Sequence, residues 1–246
     1  MPDRTLKSGY INLARGAGQV FDVTGLSGLL DRLSLRFRWA HWLRSLPAID
    51  DLDSALAMDK PRWTYDAIDW VEAFLAHRPA PKVFEYGSGV STLWLARRAS
   101  EVVSVEHDRS VHARVAKAIG RVTDIGTVAL RLVEPDQTRA EDPCYGSRKS
   151  GFRHQTFRDY VRAIDADPDA RFDLIVIDGR ARTACLHAAV ERLSDGGMVV
   201  FVNSGRRRYR RALQQCDLQA VALEGWTPFL PYRDETLLLT RCRTGG

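Results

Sequence analysis

Apolar and polar positions follow a repeating order along most of this chain: a short apolar run, a turn, then an amphipathic stretch. From about residue 61 onward, apolar runs at Lys82–Tyr86, 102–106, 128–133, 173–178 and 198–202 read as strands. Helical spacing marks 91–98, 110–119, 157–164 and 183–193, and one helix, Tyr65–Ala76, precedes the first strand. Residues 218–223 and 236–240 read as closing strands. Asp195-Gly196-Gly197 reads as a turn, and the polar segment 134–152 as a loop. Strands alternating with helices predict an α/β fold, with a doubly wound, mostly parallel sheet and helices on both faces.

The first 60 residues differ. The stretch from Leu26 to Leu46 reads as one amphipathic helix, with Leu29, Leu30, Leu33, Phe37 and Ala40 in helical register. Arg32, Arg36, Arg38 and Arg44 supply its charge and Trp39 and Trp42 its aromatic bulk, and Pro47 with the acidic residues Asp50, Asp51 and Asp53 ends it. Residues 1–60 are therefore expected to form a helical N-terminal extension, and 61–246 the main domain. A helix packed on the main domain, or on a second subunit in a homodimer, is the favoured reading of 26–46; a helix lying on an anionic membrane is the alternative.

Composition narrows the class. Of 246 residues, 45% are apolar and 27% charged, enough for a core and inconsistent with intrinsic disorder. No apolar run reaches the ~18 residues of a transmembrane helix. The start, Met1-Pro2-Asp3-Arg4, has no apolar stretch behind it, so no secretory signal is expected. Cys144, Cys185, Cys216 and Cys242 lie far apart. They suit neither a disulfide framework nor a zinc site, and they fit a reducing cytoplasm. A net charge of +5 permits an anionic partner without requiring one.

Candidate chemistry begins where the first strand ends, in Glu85-Tyr86-Gly87-Ser88-Gly89-Val90-Ser91-Thr92. Glycines let the chain turn tightly and a ligand approach the backbone. About 20 residues on, the second strand ends in Glu106, where a nucleoside-binding unit places a ribose-binding acid. A dinucleotide fingerprint needs a third glycine, and Thr92 stands there. No Gly-Lys-Ser/Thr follows the loop, which disfavours a phosphate loop. S-adenosylmethionine, which carries no phosphate, suits the remaining features.

With these motifs the chain resembles the class I S-adenosylmethionine-dependent methyltransferases, and a bacterial subgroup carrying Glu-Tyr-Gly-Ser-Gly and Asp-Gly-Arg-Ala-Arg. The resemblance rests on 83–92, on Val103-Ser104-Val105-Glu106-His107-Asp108, on 172–180 and on 193–200. No motif carries it alone; four in order, at the ends of strands one, two, four and five, do. It implies a Rossmann-like sheet of seven strands with the last antiparallel. It also implies a cofactor site of Glu85, Gly87, Ser88, Gly89, Ser91, Thr92, Glu106, His107, Asp178 and Gly179. Within that set Glu85, Gly87 and Gly89 would surround the methionine end, Glu106 the ribose and His107 the adenine. A plain tight turn and an ordinary surface histidine are the competing readings of the glycines and of His107.

Asp178 falls where methyl group and acceptor would meet, as a catalytic base or as an acid at a helix start. Arg180, Arg182, Asn203, Arg206 and Tyr209 are candidate acceptor-binding residues, since guanidinium groups suit carboxylate or phosphate; a solvated helix face is the plainer reading. Asp142-Pro143-Cys144-Tyr145 imitates an amino-methyltransferase motif but precedes strand four, so it reads as a loop. Its absence after strand four favours oxygen over nitrogen as the methylated atom. Val202 beside Asn203, where catechol-type enzymes carry an acid, disfavours a metal ion. Two other classes stay open: a nicotinamide-dependent oxidoreductase, and a non-catalytic protein of this fold at a membrane surface or on a protein partner. Nucleic acid is disfavoured, for lack of a separate binding motif.

Overall fold

The computed structural model describes residues 26–49 and 51–241. Cys242 lies outside the described residues. Seven strands form one sheet: β1 (Lys82–Tyr86), β2 (Glu101–Glu106), β3 (Thr127–Leu132), β4 (Phe172–Ile177), β5 (Leu193–Val202), β6 (Leu218–Trp226) and β7 (Arg233–Arg241). Their spatial order is β3-β2-β1-β4-β5-β7-β6. β1 pairs in parallel with β2 and β4, and β7 runs antiparallel to both β5 and β6. The chain winds outward from β1 to β3, then returns beside β1 as β4. The carboxyl ends of β1 and β4 therefore flank the switch point at which such sheets bind ligands.

The helices are α1 (Leu26–Ser34), α2 (Arg38–Ser45), α3 (Leu52–Ala57), α4 (Tyr65–Ala76), α5 (Val90–Ala96), α6 (Arg109–Ile119), α7 (Arg158–Arg162), α8 (Arg182–Arg192) and α9 (Arg210–Gln215). Side-chain alternation along the strands divides the core in two. Phe84, Tyr86, Val103, Val105, Ile175, Ile177 and Phe201 face α7 and α8, meeting Tyr160, Cys185 and Leu186. Val83, Val102, Leu174, Val176, Met198 and Val200 face α4 and α5, meeting Ile68, Val71, Trp94 and Leu95.

Three local expectations are corrected. The stretch 26–46 is two helices, because the chain turns at residues 35–37, where Phe37 is extended. Asp195-Gly196-Gly197 lies within β5: Leu193 pairs with Phe172 and Met198 with Leu174, so residues 194–197 bulge opposite one residue of β4. A further short helix, α3, is started by the Asp51 carboxylate, which accepts from the amides of Asp53 (3.1 Å) and Ser54 (3.4 Å).

The N-terminal segment packs on the cleft end of the sheet. Trp42 lies 4.5 Å from Trp226 between ring centroids, and its Nε1 donates to the Leu230 carbonyl at 2.8 Å. The buried Ser45 hydroxyl accepts from the Phe229 amide at 2.9 Å. Ala48, Ala55, Val90 and Phe229 form a small core joining this segment to the start of α5. Trp63 and Trp94 meet edge to face in the larger core. Trp42→Ala is expected to lower stability by about 2–4 kcal/mol, less than loss of a fully buried tryptophan. Urea unfolding measures the loss, and limited proteolysis should then cut first within the α1–α2 segment.

Candidate functional site

A cleft of about 350 Å³ opens at the carboxyl ends of β1, β2 and β4. Its floor is made by the two loops that meet at the switch point. Gly87 has φ +98°, and a Cβ there would stand 2.8 Å from the Gly179 backbone. A Cβ on Gly179 would in turn stand 1.9 Å from the Tyr160 hydroxyl. Backbone therefore meets backbone, and neither position admits a side chain. The Asp178 amide donates to the Tyr86 carbonyl at 3.0 Å and holds the two loops together.

Beneath the glycine loop sits Glu85, fully buried. Strand alternation turns it toward α5, where it accepts from the hydroxyls of Ser91 (2.5 Å), Thr92 (2.6 Å) and Ser104 (2.6 Å). Thr92 also accepts from the Gly89 amide at 2.9 Å. Burial pushes the Glu85 carboxyl up to about 7, while the three hydroxyl hydrogen bonds pull it down. Glu85 and Thr92 thus brace the loop from below and do not line the cleft, unlike the cofactor-contact roles expected of them. The physical reason is the strand period, which points Glu85 into the helix-covered face.

Glu106 ends β2 on the cleft wall. Its Oε2 accepts from the Ser88 amide (3.0 Å), and its Oε1 from the amides of His107 and Asp108 (2.8 Å each). Backbone donors fix the carboxylate and leave Oε2 with acceptor capacity. His107 Nε2 accepts from Arg180 Nε at 3.2 Å, which puts the proton of a neutral ring on Nδ1. That Nδ1 lies 2.6 Å from Glu106 Oε1, off the axis of a hydrogen bond. Phe152, Phe157 and Tyr160 surround the imidazole at 5.2, 5.7 and 6.1 Å.

Asp178 enters the cleft from the end of β4. Burial pushes its carboxyl up from its ordinary value; Arg182, Arg62, Arg206 and Arg180 pull it down. Oδ1 accepts from Arg182 at 2.6 Å, and among the described residues Oδ2 takes no hydrogen bond. Arg182 is itself buried. It donates to the carbonyls of Gly179 (3.0 Å), Asp178 (2.5 Å) and Val202, and to Asn203 Oδ1 (3.1 Å). One guanidinium fills the space between Asp178 and Asn203 and staples the loop after β4 to that after β5.

Of the five candidate acceptor residues, Arg180 alone lines the cleft. Arg182 is consumed by the staple. Asn203 is tied to Asp234 Oδ2 at 2.6 Å and accepts from Arg206 at 3.3 Å. Tyr209 is buried against Phe201, 5.1 Å between ring centroids, because a short helical turn after β5 folds it inward. Gly87, Ser88, Gly89, Ser91, Glu106, His107, Asp178 and Gly179 do line it.

The cleft also has walls that motif reading missed: Ile49 and Leu52 from the N-terminal segment, Arg62 before α4, Val111 and Arg114 on α6, and Lys149 in the long loop. Arg62 donates to the Ile49 carbonyl at 2.5 Å. Asp51 is a local signal the sequence holds for this wall, since it caps the helix that begins at Leu52. Among the described residues, no three His, Cys, Asp or Glu side chains gather as a metal site.

The sheet order and the position of the cleft at its switch point define a Rossmann-like fold. Residues 84–203 match the family described as a methyltransferase domain. A comparison with curated proteins gives no match. Among solved structures, a candidate O-methyltransferase from Klebsiella pneumoniae is similar with TM-score 0.52 and 17% identity, over 80% of this chain and 90% of that one. A candidate rRNA methylase from Clostridium thermocellum gives 0.51 and 14%, over 73% and 96%. The O-methyltransferase TomG of Streptomyces achromogenes, involved in tomaymycin synthesis and solved with S-adenosylmethionine, gives 0.50 and 18%, over 78% and 90%. At these identities the likeness shows the fold.

The raised Glu85 carboxyl generates a prediction. Because the folded value exceeds the ordinary 4.5, the folded state holds more protons between the two, and stability falls as pH rises from about 4.5 to 7. The contribution is complete below that window and lost above it. Glu85→Gln should remove this dependence. Urea unfolding at pH 4.5 and 7.5 should show wild type losing up to ~3 kcal/mol relative to the variant.

Proposed function

We propose that the cleft binds S-adenosylmethionine and that the protein transfers its methyl group to a small or medium-sized acceptor, at oxygen in preference to nitrogen. The observation that carries this reading is the pairing of the glycine loop Gly87-Ser88-Gly89 with Glu106, whose carboxylate is fixed by three backbone amides on the adjoining wall. The fit is chemical. A carboxylate with acceptor capacity suits ribose hydroxyls, Ile49, Leu52 and Val111 offer apolar wall for a purine, and the volume suits a nucleoside-sized ligand. Thr92 supports this cofactor over a nicotinamide dinucleotide, since a buried threonine bound to Glu85 stands where the dinucleotide fingerprint has glycine.

When bound, S-adenosylmethionine would supply a sulfonium-activated methyl carbon, open to attack by an acceptor's lone pair with sulfur as the leaving group. The chain's contribution is placement and exclusion of water. Glu106 sets the nucleoside, and the Gly87–Gly179 contact sets the floor. A hydroxyl acceptor must lose a proton, and Asp178 Oδ2 is the group we assign to receive it. Burial, by raising that carboxyl, makes it a better base. Arg180, held against His107, and the neighbouring Arg62, Arg114 and Lys149 favour an acceptor bearing carboxylate or phosphate.

Calorimetry with S-adenosylmethionine and S-adenosylhomocysteine tests the reading. Glu106→Ala should weaken both by at least about tenfold. The two glycines separate binding from folding. Gly87→Val, at a positive φ and against Gly179, should cost ~3 kcal/mol or more of stability. A Cβ on Gly89 meets no protein atom within 4 Å, so Gly89→Leu should cost no more than about 1 kcal/mol yet abolish binding. Wild type that binds neither compound, or Gly89→Leu that binds like wild type, overturns the reading.

A further inference from the structure

The corner between α1 and α2 carries a surface that the proposed chemistry does not use. Its sequence, Leu35-Arg36-Phe37-Arg38-Trp39, alternates apolar and cationic side chains. All five are exposed: Leu35 is 90% exposed, Trp39 56% and Phe37 42%, with Leu29 on the preceding helix at 53%. Phe37 and Trp39 stack at 6.3 Å, and the Arg36 guanidinium lies 5.8 Å from the Phe37 ring centroid. Three large apolar side chains are thus exposed within five residues at this corner, with Leu29 exposed on the helix before it, whereas lone exposed residues would need no explanation.

The charges on this corner are not equivalent. Arg38 pairs with Asp66 (2.6 Å) and with Asp69 on α4, and Arg44 with Asp31 (2.9 Å). These pairs hold the two-helix segment in place. Arg32 and Arg36 are exposed and form no ion pair with a carboxylate among the described residues. The corner therefore combines unneutralised positive charge with aromatic and aliphatic side chains. That combination suits the boundary of an anionic bilayer, where the rings enter the headgroup region and the guanidinium groups meet lipid phosphate.

A second copy of the chain fits less well. A two-fold contact would bring the same patch against itself and set Arg32 and Arg36 of the two copies together. A stable interface also takes about 20–30 residues a side, far more than one helix corner offers. We propose that the α1–α2 corner docks the protein on an anionic lipid surface. The docking element continues through Ile49 and Leu52 into the cleft wall, so binding at the corner would hold the cleft close to the bilayer. This inference is independent of the cofactor assigned to the cleft.

Flotation of the full chain with vesicles tests it. Wild type should float with vesicles of phosphatidylcholine and phosphatidylglycerol, stay behind with phosphatidylcholine alone, and bind less as salt is raised. Leu35→Ser/Phe37→Ser/Trp39→Ser should reduce partitioning at least about tenfold, with an unchanged melting temperature because these side chains are exposed. Arg32→Glu/Arg36→Glu, which keeps the apolar set, should lose binding to the anionic vesicles as well and decides the matter if the triple variant misfolds. Wild type that never floats, or charge-reversed protein that floats like wild type, overturns the proposal. So does a folded triple variant that floats like wild type. A wild-type dimer in sedimentation velocity that the triple variant abolishes assigns the corner to a second copy instead.

Discussion

Everything at the site depends on the approach of two backbone loops at the switch point of the sheet. Gly87 and Gly179 come so close that a single methyl group on either would collide with the other loop or with Tyr160. This contact sets the spacing between the ends of β1 and β4. Glu85 fixes the first loop from below through three hydroxyls, and Arg182 fixes the second through the loop after β5. Both braces are buried ionisable groups whose polar atoms are spent inside the protein. Burying such groups is favourable only when their hydrogen bonds are supplied, and here they are.

This arrangement explains why motif residues fall into two kinds. Gly87, Gly89, Glu106 and Asp178 face the cleft, whereas Glu85, Thr92 and Arg182 hold them there. Residues adjacent in sequence can have opposite duties, because strand alternation sends Glu85 to the helix-covered face while the next turn opens outward. A motif records both kinds without distinguishing them. Asn203 and Tyr209 follow the same logic: they sit after β5 on the ligand side, but hydrogen bonds to Asp234 and Arg182, and packing on Phe201, turn them from the cleft.

The N-terminal segment changes most between sequence and structure. Its amphipathic pattern spans 26–46 without a break, yet the chain turns at 35–37, because Trp42 and Ser45 seek partners on the distant connection 227–230. Those partners lie more than 180 residues away in sequence. The same packing carries Ile49 and Leu52 into the cleft wall, so a segment that reads as an addition completes the site.

The sequence by itself determined the strand–helix alternation, the parallel sheet, the glycine loop and the acid at the end of β2. These depend on local periodicity and on residue types that act through the backbone, and such signals survive in one dimension. Only the tertiary structure decided which loop residues face the ligand, that Arg182 is a buried staple, and that residues 49, 52, 62, 114 and 149 line the cleft. Each depends on which face of an element is covered by a distant one. Burial and hydrogen-bond partners are properties of the assembled core, and no local pattern carries them.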